Sequence, residues 1–197
     1  MKQLVLASSN AGKLREFAAL FEPFEIEVLP QSAFSVPEIA EPHPTFLENA
    51  LAKARHAARA SGLPAMADDS GLCVTALGGE PGVHSARFGG IPRSDDRNNA
   101  YLLEKLKDVT DRRAHYVCVL VLLRHGADPQ PIYADGEWFG EILTQPRGSD
   151  GFGYDPLFYV PELEQTAAEL PPVMKNTLSH RAAAFRHLAG RLPGALL

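Results

Sequence analysis

The sequence predicts an α/β fold, because segments with the pattern of strands and segments with the pattern of helices follow one another along the chain. A short apolar strand at residues 4–7 comes first, and a helix follows it. The clearest helix is predicted for residues 45–61, since Thr45-Phe46-Leu47-Glu48 forms a capping box and Gly62 is a stop signal. Ala114–Leu123 contains eight consecutive apolar residues, which is typical of a central strand buried on both faces.

Each of the first two predicted helices has an apolar face. In the first helix this face consists of Leu14, Phe17, Ala18 and Phe21, and in the second of Leu47, Leu51, Ala54 and Ala58. Lys53 lies at the edge of the second face, and the sequence leaves open whether it extends to solvent or reaches into a cleft. The other predicted elements are a helix from Ser94 to about Lys107, strands at Ile132–Ile142 and Leu157–Val160, and a helix from Ser179 to about Arg191.

Length and composition are those of a globular protein. The chain has 197 residues, enough for one large domain or for two small lobes that share a core. Its net charge of -5 gives no general attraction for a nucleic-acid backbone. Cys73 and Cys118 lie in apolar runs and are predicted to be buried thiols rather than a disulfide. Because no apolar run has the length of a signal peptide or a membrane span, we expect a cytoplasmic location.

The segment Ala67-Asp68-Asp69-Ser70-Gly71 is the first candidate for chemistry. It lies between two short apolar runs, which predicts a strand, a tight acidic turn and a second strand. Adjacent side chains of an extended segment point to opposite faces, so only one carboxylate is expected to face a given site. Such a carboxylate can hold a hard divalent cation or accept a proton from water. An ordinary acidic surface turn is an equally good interpretation of these residues alone.

A phosphate site is predicted where the first strand meets the first helix. Ser8-Ser9-Asn10-Ala11-Gly12-Lys13 links the two, with Ser9 or Asn10 as the helix N-cap. The backbone N–H groups and the dipole of a helix N-terminus attract an anion, and Lys13 adds a full charge. A routine capped turn with an exposed lysine is the alternative.

A second informative loop covers residues 148–156. Glycines flank Phe152 there, so that the backbone can approach a ligand closely and the ring can stack on a base. Aromatic residues that only cover the core are the alternative. Further along, His180 and Arg181 lie in the first turn of the last predicted helix, where cations oppose the helix dipole unless an anion compensates them.

Six segments of the chain resemble the RdgB-like inosine triphosphate pyrophosphatase family. They are Leu-Ala-Ser-Ser-Asn-Ala-Gly-Lys (6–13), Thr-Phe-Leu-Glu-Asn-Ala (45–50), Ala-Asp-Asp-Ser-Gly-Leu (67–72), Ala-Leu-Gly-Gly-Glu-Pro-Gly-Val-His-Ser-Ala-Arg (76–87), Gly-Phe-Gly-Tyr-Asp-Pro (151–156) and Ser-His-Arg (179–181). The resemblance implies an α/β fold with a long central mixed β-sheet flanked by helices, and two lobes with the active-site cleft between them. It also implies a homodimer that hydrolyses dITP, ITP and XTP to the monophosphate and pyrophosphate.

The resemblance also implies residue roles. Asp69 is expected to be the base for the attacking water and, with Glu41, to hold Mg2+. The residues expected to bind the nucleotide are Ser8, Ser9, Asn10, Ala11, Gly12, Lys13, Lys53, Ser70, Phe152, Gly153, Tyr154, Asp155, Lys175, His180 and Arg181. A donor from Arg181 to O6 would accept hypoxanthine and xanthine and reject adenine.

The chain departs from the family pattern at some positions. Glu41-Pro42-His43-Pro44 lacks the usual Glu-Thr-Gly continuation, so the sequence leaves open whether Glu41 or Asp68 completes the metal site. Pro171-Pro172 replaces a more acidic segment. Two other functions are the alternatives: a Maf-type nucleotide pyrophosphatase, which would have Ser-Pro-Arg-Arg after its first strand, and a nucleotide sensor without catalysis.

Overall fold

A computed structural model of the protein describes residues 2–192 and gives this part of the chain seven strands and five α-helices. The strands are β1 (Lys2–Leu6), β2 (Ile26–Pro30), β3 (Ala65–Val74), β4 (Arg113–Leu123), β5 (Ile132–Ile142), β6 (Phe158–Val160) and β7 (Gln165–Thr166). The helices are α1 (Ala11–Phe21), α2 (Phe46–Ser61), α3 (Asp95–Lys105), α4 (Pro172–Leu178) and α5 (His180–Ala189). The prediction of an α/β fold is confirmed.

The strands form one mixed sheet in the order β2-β1-β3-β4-β5-β6-β7. β1 pairs in parallel with β2 and β3, whereas β6 pairs antiparallel with β5 and β7. The apolar run from Tyr116 lies in β4, the middle strand, as its hydrophobicity predicted. β2 and β7 were not predicted, because their short mixed sequences carry little strand signal.

The chain divides into two compact units. The first unit contains the segment up to Asp69, Cys118–Gly136 and the segment from Arg181; the second contains Ser70–Val117 and Glu137–His180. β3, β4 and β5 each contribute residues to both units.

In the first unit, both faces of β1 are buried. Leu4 and Leu6 pack in a cluster with Phe17 of α1 and Phe185 of α5. Val5 belongs to a second cluster, which the small side chains of α2 complete: Ala50, Ala54, Ala57 and Ala58. Helices thus cover both faces of β1, and the polar side chains of this unit lie beyond the end of β1, at residues 8–13, and in the middle of β3, at Asp68 and Asp69.

The second unit has its own core. Leu102 of α3 and Leu106, the residue that follows this helix, pack there with Tyr116, Trp138 and Phe158 from the strands. Ser94 caps α3 by accepting a hydrogen bond from the N–H of Arg97 at 3.3 Å. This core supports the loop of residues 148–156, which lies between β5 and β6.

The predicted turn at Asp68 and Asp69 is wrong. β3 runs without interruption from Ala65 to Val74, with both carboxylates in its middle. A turn signal from Asp, Ser and Gly was outweighed because each carboxylate finds cationic partners and so can be buried in an extended strand. The expectation of separate partners for the two side chains is confirmed.

Some predicted core positions are exposed. Leu47 is 42% exposed, and Ala18 also lies at the surface. In α2 the buried face is shifted to the alanines and Asn49, whose amide bonds to the backbone of His43. On β5, Trp138 is buried and its neighbour Phe139 is 63% exposed, as the alternation of a strand requires.

Cys73 and Cys118 are both free thiols. Cys118 is buried, as predicted, whereas the prediction of a buried Cys73 is wrong, because Cys73 is only half-buried. None of the helices in residues 2–192 is long and apolar enough to cross a membrane.

Candidate active site

The segment between β1 and α1 forms an exposed helix N-terminus. Asn10 is the N-cap: its Oδ1 accepts hydrogen bonds from the N–H groups of Gly12 at 2.8 Å and Lys13 at 3.2 Å. Ser8 Oγ accepts from the N–H of Asn10 at 3.1 Å, and Ser9 Oγ accepts from the Gln31 amide at 3.3 Å. Of the two predicted caps, Asn10 is therefore correct.

Asp68 is the centre of a buried ion network in the first unit. Its Oδ1 accepts from Lys13 Nζ at 2.8 Å and its Oδ2 from Arg181 Nε at 2.7 Å. Arg181 also donates to Glu16 Oε2 at 3.1 Å. Burial lowers the pKa of Lys13 in spite of Asp68. For Arg181, burial acts in the same direction, but the carboxylates of Asp68 and Glu16 outweigh it and raise the pKa.

Lys53 organises the other half of this unit's polar groups. Its Nζ donates to Glu41 Oε1 and to Asp69 Oδ1, both at 2.6 Å. Burial alone would lower the pKa of Lys53, but the two carboxylates outweigh it and the pKa is raised. Burial raises the pKa of Asp69 against the opposing charge of Lys53. Of the two alternatives for Lys53, an approach to buried polar groups is the one observed.

Both lysines converge on one atom. Lys53 Nζ lies 3.0 Å from the carbonyl oxygen of Asp68, and Lys13 Nζ lies 3.5 Å from the same oxygen. We call Lys13, Lys53, Asp68, Asp69 and Glu41 the lysine–carboxylate cluster. Its two ammonium groups, close to the N-terminus of α1, are the groups that a chain of phosphates requires.

The donor set of this cluster fits Mg2+. The carboxylates of Asp69 and Glu41 both contact the ammonium group of Lys53, so they lie close together. Hard oxygen ligands of this kind are what Mg2+ prefers. Asp68 is fully buried between two cations, whereas the Glu41 side chain is 27% exposed, so we infer that Glu41 is the more accessible second ligand. Within residues 2–192 no group of three or more His, Cys, Asp or Glu is placed to hold a metal. Substrate phosphate oxygens would therefore have to supply further ligands, as is usual for Mg2+.

The second unit holds the predicted base-binding loop. Asp155 Oδ2 accepts from the N–H of Phe152 at 2.9 Å and from Lys175 Nζ at 2.6 Å. Lys175 Nζ also lies 4.8 Å from the centre of the Phe152 ring, a cation–π distance. Gly151 has φ +79°, and a side chain there would collide with the Asp155 carboxylate. The loop is therefore held from within, with the Phe152 ring half-buried.

Three side chains near this loop were not predicted from the sequence. Asp95 accepts from the N–H of Gly153 at 2.8 Å, and Asn99 donates to the Gly153 carbonyl at 2.9 Å. Their i, i+4 spacing on α3 was the available signal. Tyr116 donates to Asp155 Oδ1 at 3.3 Å, and its signal was a hydroxyl within an otherwise apolar run.

The predicted residues thus fall into two groups. The first unit contains Ser8, Ser9, Asn10, Ala11, Gly12, Lys13, Glu41, Lys53, Asp69 and Arg181; the second contains Ser70, Phe152, Gly153, Tyr154, Asp155, Lys175 and His180. Tyr154 directs its hydroxyl at the carbonyl of Ser85, at 2.8 Å, and burial raises its pKa. Its visible role is therefore structural.

Known proteins resemble this chain over its whole length. A dITP/XTP pyrophosphatase of Aromatoleum aromaticum is 66% identical over 99% of this chain and 98% of its own. One of Burkholderia pseudomallei is 61% identical over 96% and 93%. The structure of a HAM1 protein from Coxiella burnetii is 49% identical with a TM-score of 0.91, and covers 99% of this chain and 100% of its own. The profile of the Ham1 family matches residues 4–191, so the chain belongs to the Ham1 family.

Proposed function

We propose that the protein hydrolyses ITP, dITP and XTP to the nucleoside monophosphate and pyrophosphate, and so removes these nucleotides from the pool. The names of its relatives and its membership of the Ham1 family support this activity. The observation that carries the proposal is the convergence of Lys13 and Lys53 on the carbonyl oxygen of Asp68, directly beside the Asp69 carboxylate. Two cations for phosphate and one carboxylate for water are thereby brought together.

The lysines and α1 are proposed to bind the triphosphate. In the protein as described, Lys53 is shared by two carboxylates and Lys13 is paired with Asp68. Both side chains retain some solvent contact, which lets a phosphate oxygen become an additional partner. The N–H groups at the start of α1 add fixed partial charges, and such preorganised charge is the main source of rate in phosphoryl transfer.

Asp69 is proposed to accept the proton of the water that attacks the α-phosphorus. Lys53 Nζ at 2.6 Å fixes the orientation of its carboxylate, and a positioned carboxylate can take a proton from water. Asp69 and Glu41 are the proposed ligands of Mg2+, which would offset phosphate charge when bound. The bond between the α- and β-phosphates breaks, and pyrophosphate leaves.

The base is proposed to stack on Phe152. Asp155 binds the backbone N–H of this residue and Lys175 contacts its ring, so the ring is already held in position without a bound base. Arg181 is the proposed donor to O6 of hypoxanthine or xanthine, and its bonds to Asp68 and Glu16 fix the guanidinium plane. Adenine presents a donor at that position, which cannot accept a hydrogen bond from Arg181.

The proposal is tested by measuring pyrophosphate and orthophosphate release from dITP, XTP, dGTP, dATP and dTTP, with and without magnesium. We expect pyrophosphate, from dITP and XTP only, and only with the metal. A preference for dTTP would indicate a Maf-type enzyme instead. Nucleotide binding without hydrolysis would indicate a sensor, and the role of Asp69 would then be wrong.

We also propose that the whole chain is one catalytic domain that acts as a homodimer in the cytoplasm. These statements follow from the family resemblance. Sedimentation equilibrium of the purified protein tests the dimer: a mass of a single chain at micromolar concentration would contradict it.

A further inference from the structure

Tyr116 is a buried aromatic residue between two parts of the second unit's site. It lies on β4, inside the core that includes Trp138 and Phe158. Its ring stacks on the imidazole of His180, with the centroids 4.7 Å apart and the planes inclined by 13°. The ring of Phe158 also packs on the Tyr116 ring, with the centroids 4.6 Å apart and the planes inclined by 48°.

The hydroxyl group of Tyr116 has a separate function from the ring. It donates to Asp155 Oδ1 at 3.3 Å, while the other carboxylate oxygen accepts from the N–H of Phe152 and from Lys175. Asp155 is almost fully buried, so each donor to its charge matters. Through this one carboxylate, Tyr116 is connected to the backbone that carries the proposed stacking ring.

Packing alone does not account for a tyrosine at this position. A phenylalanine would supply the same ring contacts to His180 and Phe158, and a buried hydroxyl is costly unless it has a partner. The hydroxyl is therefore explained by Asp155, and the parallel ring by His180. Both partners are residues that the family resemblance implies for nucleotide binding, whereas Tyr116 is not among them.

We propose that Tyr116 is a positioning residue of the nucleotide site, which sets the Phe152 plate through Asp155 and the imidazole plane of His180 by stacking. The inference rests on the proposed function, because it presumes that Phe152 and His180 contact the substrate. Tyr116 itself contacts no substrate atom; it acts by restricting where these two side chains can lie.

Two substitutions separate the hydroxyl from the ring. Tyr116→Phe keeps the stacking and removes the hydrogen bond, and we expect KM for dITP to rise about tenfold with kcat within about twofold of normal. Tyr116→Leu removes both, and we expect a further rise in KM and a smaller preference for dITP over dATP. Tyr159→Phe is the matched control, since it removes a tyrosine hydroxyl of the same unit from a half-buried ring outside the site; its KM should not change.

Inhibition by tripolyphosphate, which has no base, distinguishes positioning from general loosening. If Tyr116 positions only base-binding groups, the inhibition constant of tripolyphosphate is the same for Tyr116→Phe as for the normal protein, while KM for dITP rises. Equal weakening of both, or an unchanged KM, would overturn the proposal. If the normal protein hydrolyses neither dITP nor XTP, the proposed function fails, and calorimetric titration with dIMP decides on Tyr116. Weaker dIMP binding by Tyr116→Phe would then still support the positioning role, and equal binding would overturn it.

Discussion

The lysine–carboxylate cluster of the first unit and the Phe152–Asp155–Lys175 group of the second use charge in different ways. In the first, two lysines and three carboxylates share partners, and Glu41, Lys13 and Lys53 keep some exposure. In the second, Lys175 and Asp155 form one pair at 2.6 Å whose side chains are only 8% and 4% exposed. The first arrangement can accept phosphate and metal as new partners, whereas the second is closed.

This difference indicates that the two groups of charged residues have different roles. The two lysines of the first arrangement are 13–15% exposed and each contacts more than one acceptor, so a ligand oxygen can join them without leaving a charge unpaired. A buried, hydrogen-bonded pair is strongly destabilised when one member is removed. We infer that the closed pair serves to hold Phe152, and that the open cluster serves chemistry on phosphates. Asp68 is the exception within the cluster, because its side chain has no solvent exposure and each of its two oxygens accepts from a different cation.

Asp69→Asn is the variant of the lysine–carboxylate cluster for which we expect the largest loss of activity. The amide cannot accept the proton of the attacking water, so we expect kcat for dITP to fall by about a hundredfold or more. Asp135→Asn removes the same charge from an exposed position of β5 and should leave turnover unchanged. Release of pyrophosphate is the measurement, and normal turnover of Asp69→Asn would refute its assignment as base.

Asp68→Asn tests whether Asp68 is the structural member of the lysine–carboxylate cluster. Removal of this charge leaves Lys13 and Arg181 without their shared carboxylate, and we expect the free energy of unfolding to fall by about 3 kcal/mol or more. Glu41→Gln is the comparison, since the half-exposed Glu41 should cost less than about 1 kcal/mol. Urea denaturation gives both values. Similar losses for the two variants would show that Asp68 is not the structural member of the cluster.

Much of the fold was predictable because its signals are local. The Thr45 capping box and Gly62 gave the bounds of α2, and the apolar run of β4 gave the centre of the sheet. β3 was predicted wrongly at Asp68, because its burial depends on Lys13 and Arg181, which are 55 and 113 positions away. Local turn preferences carry no information about such partners.

The candidate site shows the same limit. Family resemblance identified the residues that are proposed to touch the nucleotide, since most of them lie in short recognisable segments; Glu41, Lys53 and Lys175 lie outside the six segments and were assigned by position. It did not identify Tyr116, Asp95 or Asn99, whose bonds to Asp155 and Gly153 join residues 39 to 58 positions apart. Supporting residues of this kind are selected by three-dimensional contacts, so a single sequence does not reveal them.

The role of the Asp155–Lys175 pair is tested by changing Phe152, the residue whose ring this pair is inferred to hold. Phe152→Leu keeps an apolar side chain but removes the aromatic face, and base stacking is worth about 1–3 kcal/mol, so we expect KM for dITP to rise about tenfold. Phe139→Leu makes the same change at an exposed ring and should have no effect. Because the phosphates are proposed to bind to the lysine–carboxylate cluster, kcat should change much less than KM in Phe152→Leu. A kcat loss as large as that of Asp69→Asn would contradict the division between the two regions, since it would place Phe152 in the chemical step itself.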